Sequence, residues 1–377
     1  MMKEIKVWDL QTRIFHWSLM AFVICTFVTA DMPRFFGMKT LDKDAWLSFH
    51  IGTGVAAGLL LAFRIFWGFF GPYYSKFSSL HLSLKELFRY LDSVRKNWKT
   101  SYTGHNPGAS WNLLCITIFG LLAVVSGVAV FGLDERRGVL RFLYGTYYPY
   151  ADSMKLLHLG VSYILLAVIL GHVAGVLIET TRHRTGIILA MITGKKRSDE
   201  TERPLSTGMP LAVISFAWVA SPFFVLLFFS TTMGTKQPTT LSIPPIYKKE
   251  CGSCHMAFPP NALPTKSWQI MMADLQDHFG DDASIVESAR KEIEDFLVRN
   301  SADKSLEEAS IKFIRSIGKD NPPLRITEIR YWKEKHKSVQ QAIYQRETIK
   351  SKINCVACHK WAEYGSFEDS DIKIPRK

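Results

Sequence analysis

Five apolar runs, roughly 14–32, 46–70, 111–132, 154–178 and 209–233, constrain this chain more than any other feature. Each is long enough, or nearly so, to cross a bilayer as a helix, which takes about 20 residues. Within hydrocarbon every backbone donor and acceptor must be satisfied inside the segment, so such runs fold as helices. From Lys236 onward the pattern changes to mixed charges and short helical repeats, as in a soluble domain. The sequence therefore divides into 1–208, a fifth apolar helix with its linker at 209–235, and 236–377.

The net charge is +12, of which +9 falls before residue 236. Those charges sit in loops beside the apolar runs, where membrane topology accounts for them better than nucleic acid does. Fifteen lysines and arginines lie in the N-terminal tail and the loops 71–110 and 179–208, against six in the loops 33–45 and 133–153. The positive-inside rule then puts the N-terminus in the cytoplasm and 236–377 outside. Asp31 and Met32 after Ala30 make a poor cleavage site, so the first run reads as a retained helix. Residues 84–94 place Leu84, Leu87, Phe88, Leu91 and Val94 at helical spacing, which fits either an interfacial helix or one packed under the bundle. No phosphate-binding glycine pattern, repeat or low-complexity tract is present.

Histidines inside apolar helices are costly and usually functional. His158 and His172 share the fourth run, 14 residues apart, which places them within ~40° of one face and ~21 Å apart along the axis. Alternating helix direction puts His16 at the depth of His172 and His50 at the depth of His158. Two histidines facing each other at one depth can ligate a haem iron from both sides. Small residues nearby (Gly52, Gly54, Gly160, Gly171, Gly175) leave room for the macrocycle. Zinc or copper would want a third ligand at that depth, and none is offered. Cys25 and Cys115 read as small buried apolar residues. Arg64 either snorkels or binds a haem propionate. His81, His105 and His183 read as solvated or headgroup-contacting, with proton release near a quinone site as the functional alternative.

RIFHW (13–17), LSFHIGTG (47–54), FRIFWGFFGPYYSKF (63–77), TGHNPGAS (103–110) and the histidine pair of the fourth run resemble the bacterial cytochrome b561 family, which includes b-type cytochrome subunits of membrane hydrogenases. The resemblance spans about residues 4–195. It implies a four-helix bundle with two b-type haems on His16, His50, His158 and His172, exchanging electrons with membrane quinones. The fifth helix and the domain after it depart from the shorter members.

CGSCH (251–255) and CVACH (355–359) are CxxCH motifs, in which two cysteines form thioethers to a c-type haem and the histidine ligates its iron. Cys251, Cys254, Cys355 and Cys358 are the four cysteines of this region, and a four-cysteine zinc site would leave His255 and His359 unexplained. His278 and His336 are the two further histidines, enough for sixth ligands at both haems, with Met256, Met271 and Met272 as competitors. The run from KKECGSCHMAFPPNALPTKSW through DLQDHFGDDAS and NCVACHKWAEYGSF to KIPR resembles the dihaem cytochrome c family over about 244–376. That resemblance implies His255 with His278, His359 with His336, and a small oxygen-binding monohaem cytochrome c as partner.

The expected architecture is all-α: a four-helix haem-binding core, a fifth transmembrane helix and a mostly helical dihaem domain. The expected function is electron transfer from quinol through two b haems and two c haems to a soluble periplasmic acceptor, with possible quinol:cytochrome c oxidoreductase activity. Two alternatives stand beside it: a haem subunit of a larger dehydrogenase or hydrogenase that passes electrons to quinone, and a haem-based redox sensor.

Overall fold

The computed structural model describes residues 3–35, 43–96, 98, 102–135, 137–144, 147–205, 208–232, 241–317, 322–368 and 371–375. Lys39, Lys99, Arg136, Lys236 and the linker around residue 235 lie outside them. The chain forms two compact units, Met1–Gly234 and Thr235–Lys377.

In the first unit the apolar runs form helices α1 (Leu10–Phe35), α2 (Lys43–Phe70), α4 (Pro107–Leu133), α5 (Ala151–Thr181) and α7 (Met209–Thr232), with α3 (Leu84–Arg95) and the short α6 (Ile187–Thr193) between them. α1, α2, α4 and α5 contain stretches long and apolar enough to cross a membrane. In α7 the described apolar stretch is Met209–Val225, shorter than a full span. Local chemistry sets the ends. Asn106 caps α4 by accepting the Ala109 N–H at 2.7 Å, with Pro107 in the first turn. Opposite, Lys155 pairs with Asp134 at 2.7 Å and ties the start of α5 to the end of α4.

α2 is central and packs on α1, α4 and α7, burying Leu60, Phe63 and Trp67 against Phe15, Phe22 and Val219. α5 packs closely on α4 but makes few close contacts with α1 or α2 among the described residues. The α1–α2 pair and α5 thus face each other across a space the backbone does not close. α3 turns Tyr90 and Ser93 inward while Leu84, Phe88 and Leu91 stay exposed, so it packs at the bundle end and keeps an apolar outer face.

Strands β1 (Lys3–Lys6) and β2 (Lys195–Ser198) pair antiparallel, Lys3 opposite Ser198 and Lys6 opposite Lys195. Gly194 ends α6 at φ 80°, and its carbonyl accepts the N–H groups of Val7 (2.8 Å) and Trp8 (3.1 Å). A Cβ there would stand 2.6 Å from the Trp8 carbonyl oxygen, so glycine is required. Trp17 adds a bond from its indole N–H to the Met191 carbonyl at 3.1 Å. The N-terminal tail and the loops after α2 and α5 therefore meet at one end, since Thr103 also bonds Ser198 at 2.8 Å.

The second unit is built from short helices, α8 (Pro245–Cys251), α9 (Thr265–Ala273), α10 (Glu287–Arg299), α11 (Glu308–Ser316), α12 (Arg330–His336) and α13 (Gln341–Tyr344). Its core gathers Tyr247, Leu263, Trp268, Met272, Ile293, Leu297, Phe313 and Ile329. Gly365, at φ 81°, lets Asn261 lie against it and donate from Nδ2 to its carbonyl at 3.1 Å. This joins the segments that carry the two CxxCH motifs.

Candidate haem centres

Eight histidines come together in four pairs. His16 faces His172 with ring centroids 6.3 Å apart, and His50 faces His158 at 6.4 Å. In the second unit His255 faces His278 at 6.2 Å and His336 faces His359 at 6.1 Å. An imidazole nitrogen lies about 1.1 Å from its centroid and a metal–imidazole bond is about 2.0 Å. One ion held linearly between two rings therefore separates their centroids by about 6.2 Å. All four separations fit a single axially ligated iron. Among the described residues no three His, Cys, Asp or Glu side chains cluster as they would around a zinc or copper ion.

Four of the eight rings are oriented by a bond at Nδ1, which leaves Nε2 for a metal. His50 Nδ1 lies 3.0 Å from the Thr26 carbonyl, and His158 Nδ1 lies 3.0 Å from Ser126 Oγ. His255 Nδ1 meets the Met256 carbonyl at 2.7 Å, and His336 Nδ1 the Trp332 carbonyl at 2.9 Å. The Trp332 ring also stacks on His336 at 4.1 Å. His16 Nδ1 is buried without a partner among the described residues.

Space for a macrocycle exists in the first unit. A Cβ on Gly54 or Gly171 would stop 3.9 Å from its nearest neighbour, and on Gly160 or Gly175 it would meet nothing within 4 Å. Gly127, which sequence reasoning passed over, is different: a Cβ there would come to 3.0 Å from His158 Cε1. Arg64 does not snorkel. It is buried, its guanidinium lies 5.1 Å from the Phe77 ring centre, and Nη1 has no partner among the described residues, which suits an anionic group such as a propionate.

In the second unit Cys251 ends α8, while Cys355 opens a short turn in which the His359 N–H bonds the Cys355 carbonyl at 2.8 Å. No disulfide joins the four cysteines among the described residues. His278 is aimed by a tight turn: Phe279 sits at φ 61°, Asp277 accepts the Gly280 N–H at 2.9 Å, and His278 donates its N–H to the Asp281 carbonyl at 2.9 Å. Burial lowers the pKa of both His278 and His336, which favours the neutral, ligating imidazole. Of the methionine competitors, Met272 lies in the core and Met271 packs against it.

Three expectations change. His183 is buried rather than solvated, with its Nδ1 3.4 Å from Glu179 Oε2. His105 is not free in solvent either. Its Nδ1 is sealed off, its ring lies edge-on to Trp8 at 4.8 Å, and burial beside Arg64 and Lys196 drives it down to about 3. Cys25 and Cys115 are half-buried rather than buried. His81 alone keeps the surface character expected, 3.2 Å from Glu86.

Residues 7–194 match the family model described as prokaryotic cytochrome b561, and residues 247–367 match that of dihaem cytochrome c. Among solved structures, a dihaem cytochrome c from Rhodobacter sphaeroides is 40% identical, with 34% of this chain aligned to 100% of that one at a TM-score of 0.31. Another from Shewanella baltica OS155 is 32% identical, covering 36% of this chain and 96% of that one at a TM-score of 0.28. Comparison with curated proteins returns no match. The b561 family binds b-type haem and the dihaem domain binds two c-type haems, as the donor sets above allow. This chain is a membrane protein that joins a region matching prokaryotic cytochrome b561 to a domain of the dihaem cytochrome c family, and transmembrane electron transfer is the function this pairing implies.

Proposed function

We propose that the chain takes electrons from membrane quinol, carries them through two b haems and two c haems, and delivers them to a soluble periplasmic cytochrome c-like acceptor. The observation that carries this reading is the recurrence of one spacing, 6.1–6.4 Å, in four histidine pairs, two in each unit. His16 and His172 ligate one b haem, His50 and His158 the other. His255 with His278 and His359 with His336 ligate the c haems, with Cys251, Cys254, Cys355 and Cys358 as the thioether anchors. When bound, the haems supply reversible one-electron couples. The residues' share is to fix axial ligation, exclude small ligands by filling both axial positions, and tune potential through Nδ1 bonding and burial.

Loop charge supports a cytoplasmic N-terminus and a periplasmic C-terminal unit. In this scheme 1–208 is the b domain, α7 and the linker (209–235) return the chain to the outer side, and 236–377 is exported. Pyridine haemochrome analysis of purified protein should give b and c haem in equal amounts, and absence of either type would refute the assignment. In anaerobic stopped-flow, a quinol analogue should reduce b haem before c haem. Reduction only through an external protein donor would reverse the direction of flow.

A further inference from the structure

Glu179 lies seven residues past His172 on α5, within ~20° of the same face and ~10.5 Å farther along the axis. The line through His158, Leu165 and His172 therefore ends on a carboxylate, 5% exposed. Tyr90 donates its hydroxyl to Oε1 at 2.7 Å. Asn106 donates from Nδ2 to the Tyr90 oxygen at 3.0 Å and to Oε1 at 3.4 Å. Oε2 faces Nδ1 of His183 at 3.4 Å. His183 is also 5% exposed, and neither ring nitrogen has a hydrogen-bond partner among the described residues.

The chain is bent to achieve this. Arg184 sits at φ 55° and Gly186 at φ 68°, and Thr185 returns bonds from N and Oγ1 to the Glu179 carbonyl at 3.1 and 3.0 Å. That turn folds His183 back over Glu179 while Arg182 and Arg184 stay exposed. A purely structural polar cluster satisfies its buried nitrogens. This one leaves two open beside a carboxylate, one heptad beyond a haem ligand.

We propose that Glu179 and His183 form a proton-binding site coupled to the b haem on His16 and His172. The pair takes one proton from solvent at the basic-loop end, breaking an O–H bond of hydronium or water and forming a new O–H or N–H bond, when that iron gains one electron from ferric to ferrous. It returns the proton to solvent at the basic-loop end when the iron is reoxidised. The proposal rests on the haem assignment above, and quinol supplies the electron. A negative charge added ~10 Å away in a low-dielectric interior favours the protonated form of nearby groups. The other titratable neighbours of Glu179 are Tyr90, Tyr102 and Lys196. Burial pushes both phenols up, so they stay neutral donors, and Lys196 bonds the Tyr102 carbonyl.

The test is potentiometric titration of the full-length protein from about pH 5 to 8. The midpoint of the His16–His172 haem, identified by its loss in His16→Ala, should fall as pH rises. The slope approaches 59 mV per pH unit for one proton per electron. Glu179→Gln should flatten that slope while the His50–His158 haem keeps its own. It should also remove a carboxylic-acid band from the reduced-minus-oxidised infrared spectrum. A wild-type slope in Glu179→Gln, or a flat wild-type profile, overturns the proposal. Should Glu179→Gln fail to load haem, Tyr90→Phe decides: losing a donor to the carboxylate must move the pH-dependent region upward, and an unchanged profile overturns the proposal. Wild-type protein without b haem would instead defeat the haem assignment.

Discussion

The two units solve one coordination problem in different ways. In the second unit each histidine pair spans 23 residues of sequence, whereas His16 and His172, or His50 and His158, are more than 100 residues apart. The second unit brings its paired histidines together locally, from short helices and turns, with two cysteines per site as the proposed anchors. The first unit has no such anchors and relies on long helices whose packing fixes both depth and direction. Long-range ligation needs a rigid scaffold; local ligation needs a covalent tether.

The largest effect should come from removing one ligand in each unit. His172→Ala should release its haem and halve the b content, while His359→Ala should retain a thioether-linked haem that turns high-spin. Haemochrome and electron paramagnetic resonance spectra distinguish these, and full retention of b haem in His172→Ala would break the contrast. Next, His278→Met should raise the potential of one c haem by on the order of 0.1 V, within the ~0.8 V that axial ligands command. Optical redox titration reads this, with the b haems unchanged.

A smaller effect is expected from Ser126→Ala, which removes the hydroxyl at His158 Nδ1. Haem affinity at that site should weaken by about 10-fold, the lower end for loss of a ligand-orienting bond, as measured by transfer to apomyoglobin. The smallest concerns Asp303, which accepts the Thr265 N–H and hydroxyl. Burial pushes its carboxyl up, but the bonds from Thr265 and Ser301 outweigh this and hold it below its usual value. A depressed folded pKa adds stability above the unfolded value of about 3.9, lost as pH falls through the folded one. Asp303→Asn should therefore cost the second unit under about 1 kcal/mol at neutral pH, since the group is exposed and screened, and nothing in acid. Calorimetry of the two transitions checks that the first unit does not move.

Much of this was legible from residue type and period. The CxxCH motifs are local in sequence, and the depth pairing of His16 with His172 and His50 with His158 needs only helix direction and 1.5 Å per residue. What the sequence hid depends on side chains converging from separate elements. Glu179, Tyr90, Asn106 and His183 come from the end of α5, α3, the cap of α4 and the turn after α5, and no single window contains them. One signal was available: an acidic residue one heptad past His172 continues the haem-facing line. His183 looked solvated because it lies among Arg182, Arg184 and Thr185, and only the left-handed turn at Arg184 takes it inside. The pairing of β1 with β2 was equally hidden, since KEIK and KKRS are four-residue stretches with three charges each.

That pairing has a consequence for biosynthesis. β1 is translated first, but its partner strand ends at Ser198, so the clasp stays open until the four paired histidines of the first unit, His16, His50, His158 and His172, have left the ribosome. The chain thus fastens its own beginning to its middle only once every histidine proposed to ligate the b haems exists, and the CxxCH segments have yet to be made.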